Sequence, residues 1–258
     1  MSELVQEDGD RLVGVAVSGN AATIRLSRPK LNPIDDAFLT QLDDALDKLI
    51  DLTVVKIRSS QAAFSAGADL QMVQMRLGRP GGADEMMRTT RLFHRVYNRL
   101  ASLPAVTVAY IMGHALGGGL ELGRACDLRI ASRKAKLGFP EARMGLLPGA
   151  GGTQRLTELC GPGIAARLIL ACDLVQGVEA RDIGLVQWVF DKDQLAEEAD
   201  RICSRIEGLS APALRIAKLC ISHAATISSE GARPEIEGIG KLMRTAEAKE
   251  RINAFLGG

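Results

Sequence analysis

Aromatic residues are scarce in this chain. Six Phe, two Tyr and one Trp make up 3% of it, too few to furnish the stacking platforms on which proteins lay nucleic-acid bases. An excess of either charge is missing as well. The 32 Lys and Arg against 31 Asp and Glu leave a formal net charge of +1, so no basic field draws a polyanion and nucleic acid is not expected as a partner. The three histidines are scattered and no HExxH occurs, while the five cysteines, Cys126, Cys160, Cys172, Cys203 and Cys220, contain no CxxC. No bound metal is expected, and the cysteines read as reduced, mostly buried thiols. No apolar run is long enough for a membrane helix. The opening MSELVQEDGD is acidic where a secretory signal is basic and then apolar. The expectation is a soluble, cytoplasmic protein with no membrane partner.

What is present is a chain of 258 residues, 47% of them hydrophobic, enough for one large α/β domain or a core with an appendage. LVGVAV at 12–17 and AATIRL at 21–26 read as a hairpin turning at Ser18-Gly19-Asn20. Asp35 or Asp36 caps a helix whose Phe38, Leu39, Leu42, Leu46 and Ile50 recur at helical spacing, and VVKIRSS at 54–60 returns to strand character. A helical piece at 69–77 precedes the cluster GRPGGAD at 78–84, which reads as a mobile loop. A long helix at 84–102 then ends before Pro104. AVTVAYIM at 105–112 is a strand covered on both faces, followed by a short helix from about Gly118, a strand at 127–132, and helical patterns through most of 151–226. The pattern predicts an α/β core followed by a helical C-terminal region, with no internal repeat.

Chemistry concentrates around glycine. The strand at 105–112 leads into GHALGGGLELG, where Gly117, Gly118 and Gly119 open a helix. Such a turn leaves N–H groups without partners and lets a ligand oxygen come close. The phosphate-binding spacings are absent: there is no GxxxxGK[ST], and the one GxGxxA-like match, GPGIAA at 161–166, follows a helical segment and reads as a turn between helices. An uncharged cradle of N–H groups suits an oxyanion that develops during reaction. FSAGADL at 64–70, where Gly67 and Ala68 leave a strand before Asp69 begins a helix, offers a second donor. Glu121 stands in an apolar neighbourhood after the triplet, and Glu141 follows Pro140 ahead of the glycine-rich loop 149–152. Paired carboxylates sharing a cavity split their pKa values and supply acid and base without a cofactor. Each feature also has a plainer explanation: tight helix–sheet packing for the glycines, a helix-dipole partner for Glu121, an ordinary loop residue for Glu141.

GHALGGGLELGRACDLRIAS, FSAGADL, LGFPEARMGLLPGAGGTQRL and LSRPKLNPID, in this order and spacing, resemble the crotonase, or enoyl-CoA hydratase/isomerase, family. ARDIGLVQWVF at 180–190, PALRIAKLCI at 212–221 and TAEAKERINAFL at 245–256 extend the likeness over nearly the whole chain. The resemblance implies a crotonase-like spiral of ββα units over 1–195, with a helical C-terminal trimerisation region over 196–258. It implies an acyl-CoA thioester as substrate, no cofactor apart from the coenzyme A of that substrate, and a homotrimer or dimer of trimers. It places an oxyanion hole at the N–H groups of Ala68 and Gly118, acid and base at Glu121 and Glu141, and a water-positioning backbone at Gly149. Ala66, Asp69, Leu70, Arg28, Lys30 and Phe255 fall where CoA is bound.

Two departures concern the nucleotide end. Gln71 stands where relatives often carry lysine, and the chain ends AFLGG without a basic tail, which leaves Arg28, Lys30 or Arg76 to supply charge. Glutamates at both positions favour a 2-enoyl-CoA hydratase over an isomerase or another enolate-forming enzyme, and an intact site disfavours a non-catalytic acyl-CoA-binding protein. Met72, Met75, Met86 and Met87 are candidates for a pliable acyl pocket or for core filling. His114 and Trp188 read as structural.

Overall fold

In the computed structural model, which describes residues 11–222 and Ala246, one three-part unit recurs: a long strand, a strand of two or three residues, then a helix. The chain opens with the antiparallel hairpin β1 (Val13–Ser18) and β2 (Ala21–Leu26), turned by Gly19 at φ 58°. There follow β3 (Pro33–Ile34), α1 (Asp36–Leu46), β4 (Val54–Ser59), β5 (Gly67–Ala68), α2 (Leu70–Leu77), α3 (Gly82–Ala101), β6 (Val106–Ile111), β7 (Ala115–Leu116) and α4 (Gly118–Arg124). The second half holds β8 (Leu128–Ser132), β9 (Lys136–Gly138), a 3-10 turn (Glu141–Met144), α5 (Gly152–Leu170), β10 (Leu174–Gln176), α6 (Gly177–Asp182), β11 (Trp188–Phe190), α7 (Leu195–Glu207) and α8 (Ala211–Ser222).

The long strands form a six-stranded sheet in the order β1-β2-β4-β6-β8-β11, parallel from β2 onward. The short strands form a second ladder, β3-β5 and β7-β9-β10, which a parallel bridge between Ser65 and Ala115 joins. This is the expected spiral of ββα units with a helical C-terminal region. Its consequence for function is local: the second ladder sets β5 beside β7, so the starts of α2 and α4 lie next to each other.

β6 is buried at every residue. Ala109 and Ile111 face a core shared with Phe64, Val96, Tyr97, Leu120 and Leu122, while Val106, Val108 and Tyr110 pack on the other side against Leu195, Ala199, Ile202 and Cys203 of α7. The two-sided burial explains why its sequence carries no polar alternation. No helix among the described residues is long and apolar enough to cross a membrane.

Two expectations need correction. The helical spacing of α1 does not extend to Ile50, which is 73% exposed. After Asp47 the tighter bonds from Lys48 N–H to the Ala45 carbonyl and from Leu49 N–H to the Leu46 carbonyl turn the chain, and Leu49 takes the core position instead. Helices do fill most of the described part of 151–226, with β10 and β11 between them at three residues each, too few to show a period. Gly161 at φ 81° and ψ 163° does break α5 before Pro162, the turn expected there. The cluster at 78–84 is not a loop to its end: α3 begins at Gly82, with Gly81 in the left-handed region at φ 78°. Its Gly82 serves a close contact between α2 and α3.

A Cβ on Gly82 would stand 1.6 Å from the Arg76 carbonyl oxygen, whereas one on Gly81 would meet nothing within 4 Å. Gly82→Ala is therefore expected to lose about 3 kcal/mol or more by overpacking, on the order of 10 °C in Tm for a domain of this size. Gly81→Ala should lose only about 1–2 kcal/mol, the strain of a left-handed alanine. Thermal melts of the two variants check the order.

Candidate active site

A cavity of about 580 Å3 opens between α2, α3, the start of α4 and the segment 140–150. Gly117 forms its inner corner. It caps α4 with φ 49° and ψ −124°, a conformation that glycine alone adopts without strain, and its N–H is held by the Gly138 carbonyl at 3.0 Å. Gly118 is the first residue of α4, so its N–H has no carbonyl within the helix to bond. On the facing turn, the Gly67 N–H goes to Ser65 Oγ at 3.1 Å and the Asp69 N–H to the Ile34 carbonyl at 2.8 Å. Strand alternation then turns the Ala68 N–H the other way. A Cβ on Gly118 would lie 3.5 Å from Ala68 N, so the two N–H groups are neighbours on the cavity wall.

Side chains that the amino-acid pattern does not advertise hold this arrangement. Asn32, fully buried at φ 48°, donates from Nδ2 to Ser59 Oγ at 2.7 Å and to the Phe64 carbonyl at 3.0 Å. Its own carbonyl accepts the Ser65 hydroxyl at 2.7 Å. The Ser65 carbonyl in turn accepts Leu116 N–H at 3.0 Å, tying β5 to β7. Tyr97, buried in α3, donates its hydroxyl to the Gly118 carbonyl at 2.9 Å, and Phe93 packs edge-on against its ring at 5.5 Å. The only sequence sign of these roles is Asn32-Pro33, a turn marker.

Both glutamates face the same cavity. Glu121, 2% exposed, sits in the first turn of α4, where its Oε1 accepts the N–H groups of Ala150 and Gly152, each at 2.7 Å. Burial pushes its carboxyl above the ordinary range, against the pull of those two donors and of the Arg155 charge. Glu141 begins the 3-10 turn after Pro140. Its Oε2 is buried without a hydrogen-bond partner, and a Cβ on Gly117 would meet its Oε1 at 2.6 Å. Burial, reinforced by the negative charge of Glu121 and opposed by its own backbone N–H, raises this carboxyl to about 7. Burial thus pushes both carboxyls up, Glu121 against two fixed N–H donors and Glu141, with none on its Oε2, to about 7. Gly149 also lines the cavity, but the glycine-rich loop clamps Glu121 through Ala150 and Gly152, whose spacing alone gives no sign of that role.

Ala66 and Leu70 line the cavity with Ala68. Asp69 does not offer a free carboxylate: it caps α2, accepting Gln71 N–H at 2.9 Å, and pairs with Arg28 at 2.7 Å. Arg28 is shared with Asp35 at 2.8 Å. Arg76 is committed to Asp36 and Thr89, both at 2.5 Å. Lys30 is exposed, and neither it nor Arg28 lines the cavity. Phe255 and the AFLGG end lie outside the described residues. Of Met72, Met75, Met86 and Met87, Met86 alone lines the cavity; Met144, Leu146 and Leu147 form part of its rim. His114 Nδ1 accepts the Lys136 N–H at 3.0 Å and Trp188 packs on the second core cluster, both structural positions.

The sequence matches the enoyl-CoA hydratase/isomerase family over residues 17–257. The crotonyl-CoA hydratase of Syntrophomonas wolfei is 33% identical to it over 241 residues, 91% of each chain. The short-chain-enoyl-CoA hydratase of Clostridium acetobutylicum is 33% identical over 247 residues, 92% of each. Among solved structures, Pseudomonas aeruginosa DspI superposes with a TM-score of 0.88 at 34% identity, covering 98% of this chain and 97% of its own. An enoyl-CoA hydratase from Bacillus anthracis gives 0.88 at 31%, covering 96% of both.

Proposed function

The chain belongs to the enoyl-CoA hydratase/isomerase family, and from that premise we propose that it adds water across the double bond of a 2-enoyl-CoA to give a 3-hydroxyacyl-CoA. The observation that carries this reading is the pair of carboxyl groups, Glu121 buried and Glu141 partly buried, facing one cavity beside two N–H groups. The thioester oxygen sits between the N–H groups of Ala68 and Gly118, which stabilise the charge of the enolate; one such donor is typically worth about 10²–10³ in rate. Glu121, with Oε1 held by Ala150 and Gly152, keeps Oε2 for the water. It takes a proton from that water as the oxygen bonds to C3, with Gly149 beside it. Glu141 gives its proton to C2, completing the addition of one H2O. In dehydration the same groups exchange duties.

Double-bond isomerisation needs a single base, and the second buried carboxyl would have no task in it. CoA meets an apolar wall at Ala66 and Leu70. Because the charge of Arg28 is answered by Asp35 and Asp69, Lys30 and Phe255 remain as contacts to the nucleotide. The test is direct: with crotonyl-CoA and a longer 2-enoyl-CoA, the conjugated thioester absorbance should fall and the product should gain the mass of one water. Binding without either change would contradict the proposal.

The raised carboxyl of Glu141 fixes a pH dependence. Hydration needs its proton, so kcat/KM for hydration is expected to fall as pH rises through about 7. Dehydration starts from the same singly protonated pair with the proton on Glu121, and since no net proton is consumed, its kcat/KM should fall over the same pH range. Initial rates of hydration across pH 5 to 9 measure this limb, and a profile flat through pH 7 would contradict the assignment.

A further inference from the structure

Arg155 occupies an unusual place for a cation. It lies at the N-terminal end of α5, where the helix dipole disfavours positive charge, and it is only partly exposed. Its Nη1 donates to the Ala150 carbonyl at 3.0 Å and its Nη2 to Asn98 Oδ1 of α3 at 2.5 Å. Both partners are neutral. The guanidinium lies against the turn it braces: a Cβ on Gly151, which sits at φ 93°, would meet Nη1 at 2.9 Å. This turn supplies the two N–H groups that hold Glu121 Oε1.

We propose that Arg155 is a positioning residue that fixes the 149–152 turn against α3 and, as the counter-charge of Glu121, keeps that carboxylate ionised in its reacting pose. The inference rests on the hydratase reading for the role of Glu121, but not for the geometry. The charges around the pair agree with it. Glu121 is the foremost group supporting the protonated guanidinium, ahead of Tyr97, Glu158 and Cys126, while burial opposes it. Tyr97 and Cys126 are kept neutral by burial. Arg124, whose Nη2 donates to the Arg155 carbonyl at 2.6 Å, adds a like charge on the other side. The carboxyl facing Glu121 is Glu141. Of these groups, Arg155 is the cation that answers Glu121.

The test reads the carboxyl itself, without substrate. In protein labelled with 13C at the Glu carboxyl carbon, the Glu121 resonance is assigned by its absence in Glu121→Gln and titrated in wild type, Arg155→Gln and Arg155→Lys. The Gln variant should move the Glu121 midpoint to higher pH by about one pH unit, as loss of a nearby opposite charge does, while the Lys variant keeps it near the wild-type value. With crotonyl-CoA, Arg155→Gln should lower kcat roughly ten- to a hundredfold with little change in KM, the usual loss when a support of a reacting group is removed. An unmoved midpoint, or a loss of kcat that only tracks a lowered Tm, would overturn the proposal. Should Arg155→Gln not fold, Asn98→Ala decides in its place, since it frees the guanidinium from α3, and a wild-type kcat there would also overturn it. A shifted midpoint in a protein that hydrates no enoyl-CoA would keep the Arg155 inference and refute the hydratase reading.

Discussion

Glu121→Gln is expected to lower kcat for hydration by about 10²–10⁴-fold, the contribution of a positioned general base. The substitution is near-isosteric. The glutamine carbonyl can still accept the N–H groups of Ala150 and Gly152 that hold Oε1 in the wild type, so the turn, the fold and acyl-CoA binding should survive. What is lost is the second oxygen, which in the proposed mechanism takes the proton of water; an amide NH2 there cannot. KM should change little, because the missing interaction is made in the transition state. Glu141→Gln should lose a similar factor and also abolish the limb near pH 7 in hydration, because that limb is its own titration. Steady-state kinetics beside thermal melts separate these outcomes from unfolding. Full activity in both variants would refute the two-carboxylate account.

Gly117→Ala should reduce turnover by at least about a hundredfold, the penalty of misplacing a reacting group by about 1 Å. Its Cβ would stand 2.6 Å from Glu141 Oε1 and 3.2 Å from that carboxyl carbon, so Glu141 must leave its position. The backbone at φ 49° and ψ −124° adds about 1–3 kcal/mol of strain. Gly149→Ala provides the contrast, since its Cβ would meet Thr90 Cγ2 at 3.8 Å and the Leu147 carbonyl at 3.9 Å, both ordinary contacts. It should fold as stably as the wild type to within about 1 kcal/mol. Activity of Gly117→Ala near the wild-type level would show that the Glu141 pose does not matter.

Much of this is legible in the amino-acid sequence alone, for physical reasons that differ from element to element. β6 announces itself because a strand buried on both faces reads as a run rich in β-branched residues with no charged break. The glycine triplet is legible because the close approach of Gly117 to Glu141 requires a missing side chain, and the sequence records that absence directly. The second ladder is invisible: β3, β5 and β7 have two residues each, below the length at which any period shows. With it goes the reason that Ala68 and Gly118 are adjacent. Asn32, Ser65 and Tyr97 escape notice because a lone polar residue in a run of chain does not reveal that it is buried and engaged in bonds. The glycine cluster at 78–84 misleads, since close helix contact and chain mobility both select glycine. Only the 1.6 Å approach at Gly82 tells them apart.

The central claim, that water adds across the double bond with Glu141 supplying the C2 proton, meets its most direct test in the product formed from crotonyl-CoA in heavy water enriched in 18O. The account predicts 3-hydroxybutyryl-CoA carrying one 18O at C3 and one deuterium at C2, with Glu141→Gln slowing the appearance of both labels together. Deuterium entering the acyl chain with no gain of 18O would contradict it, and would place the chain among enzymes that move the double bond without adding water.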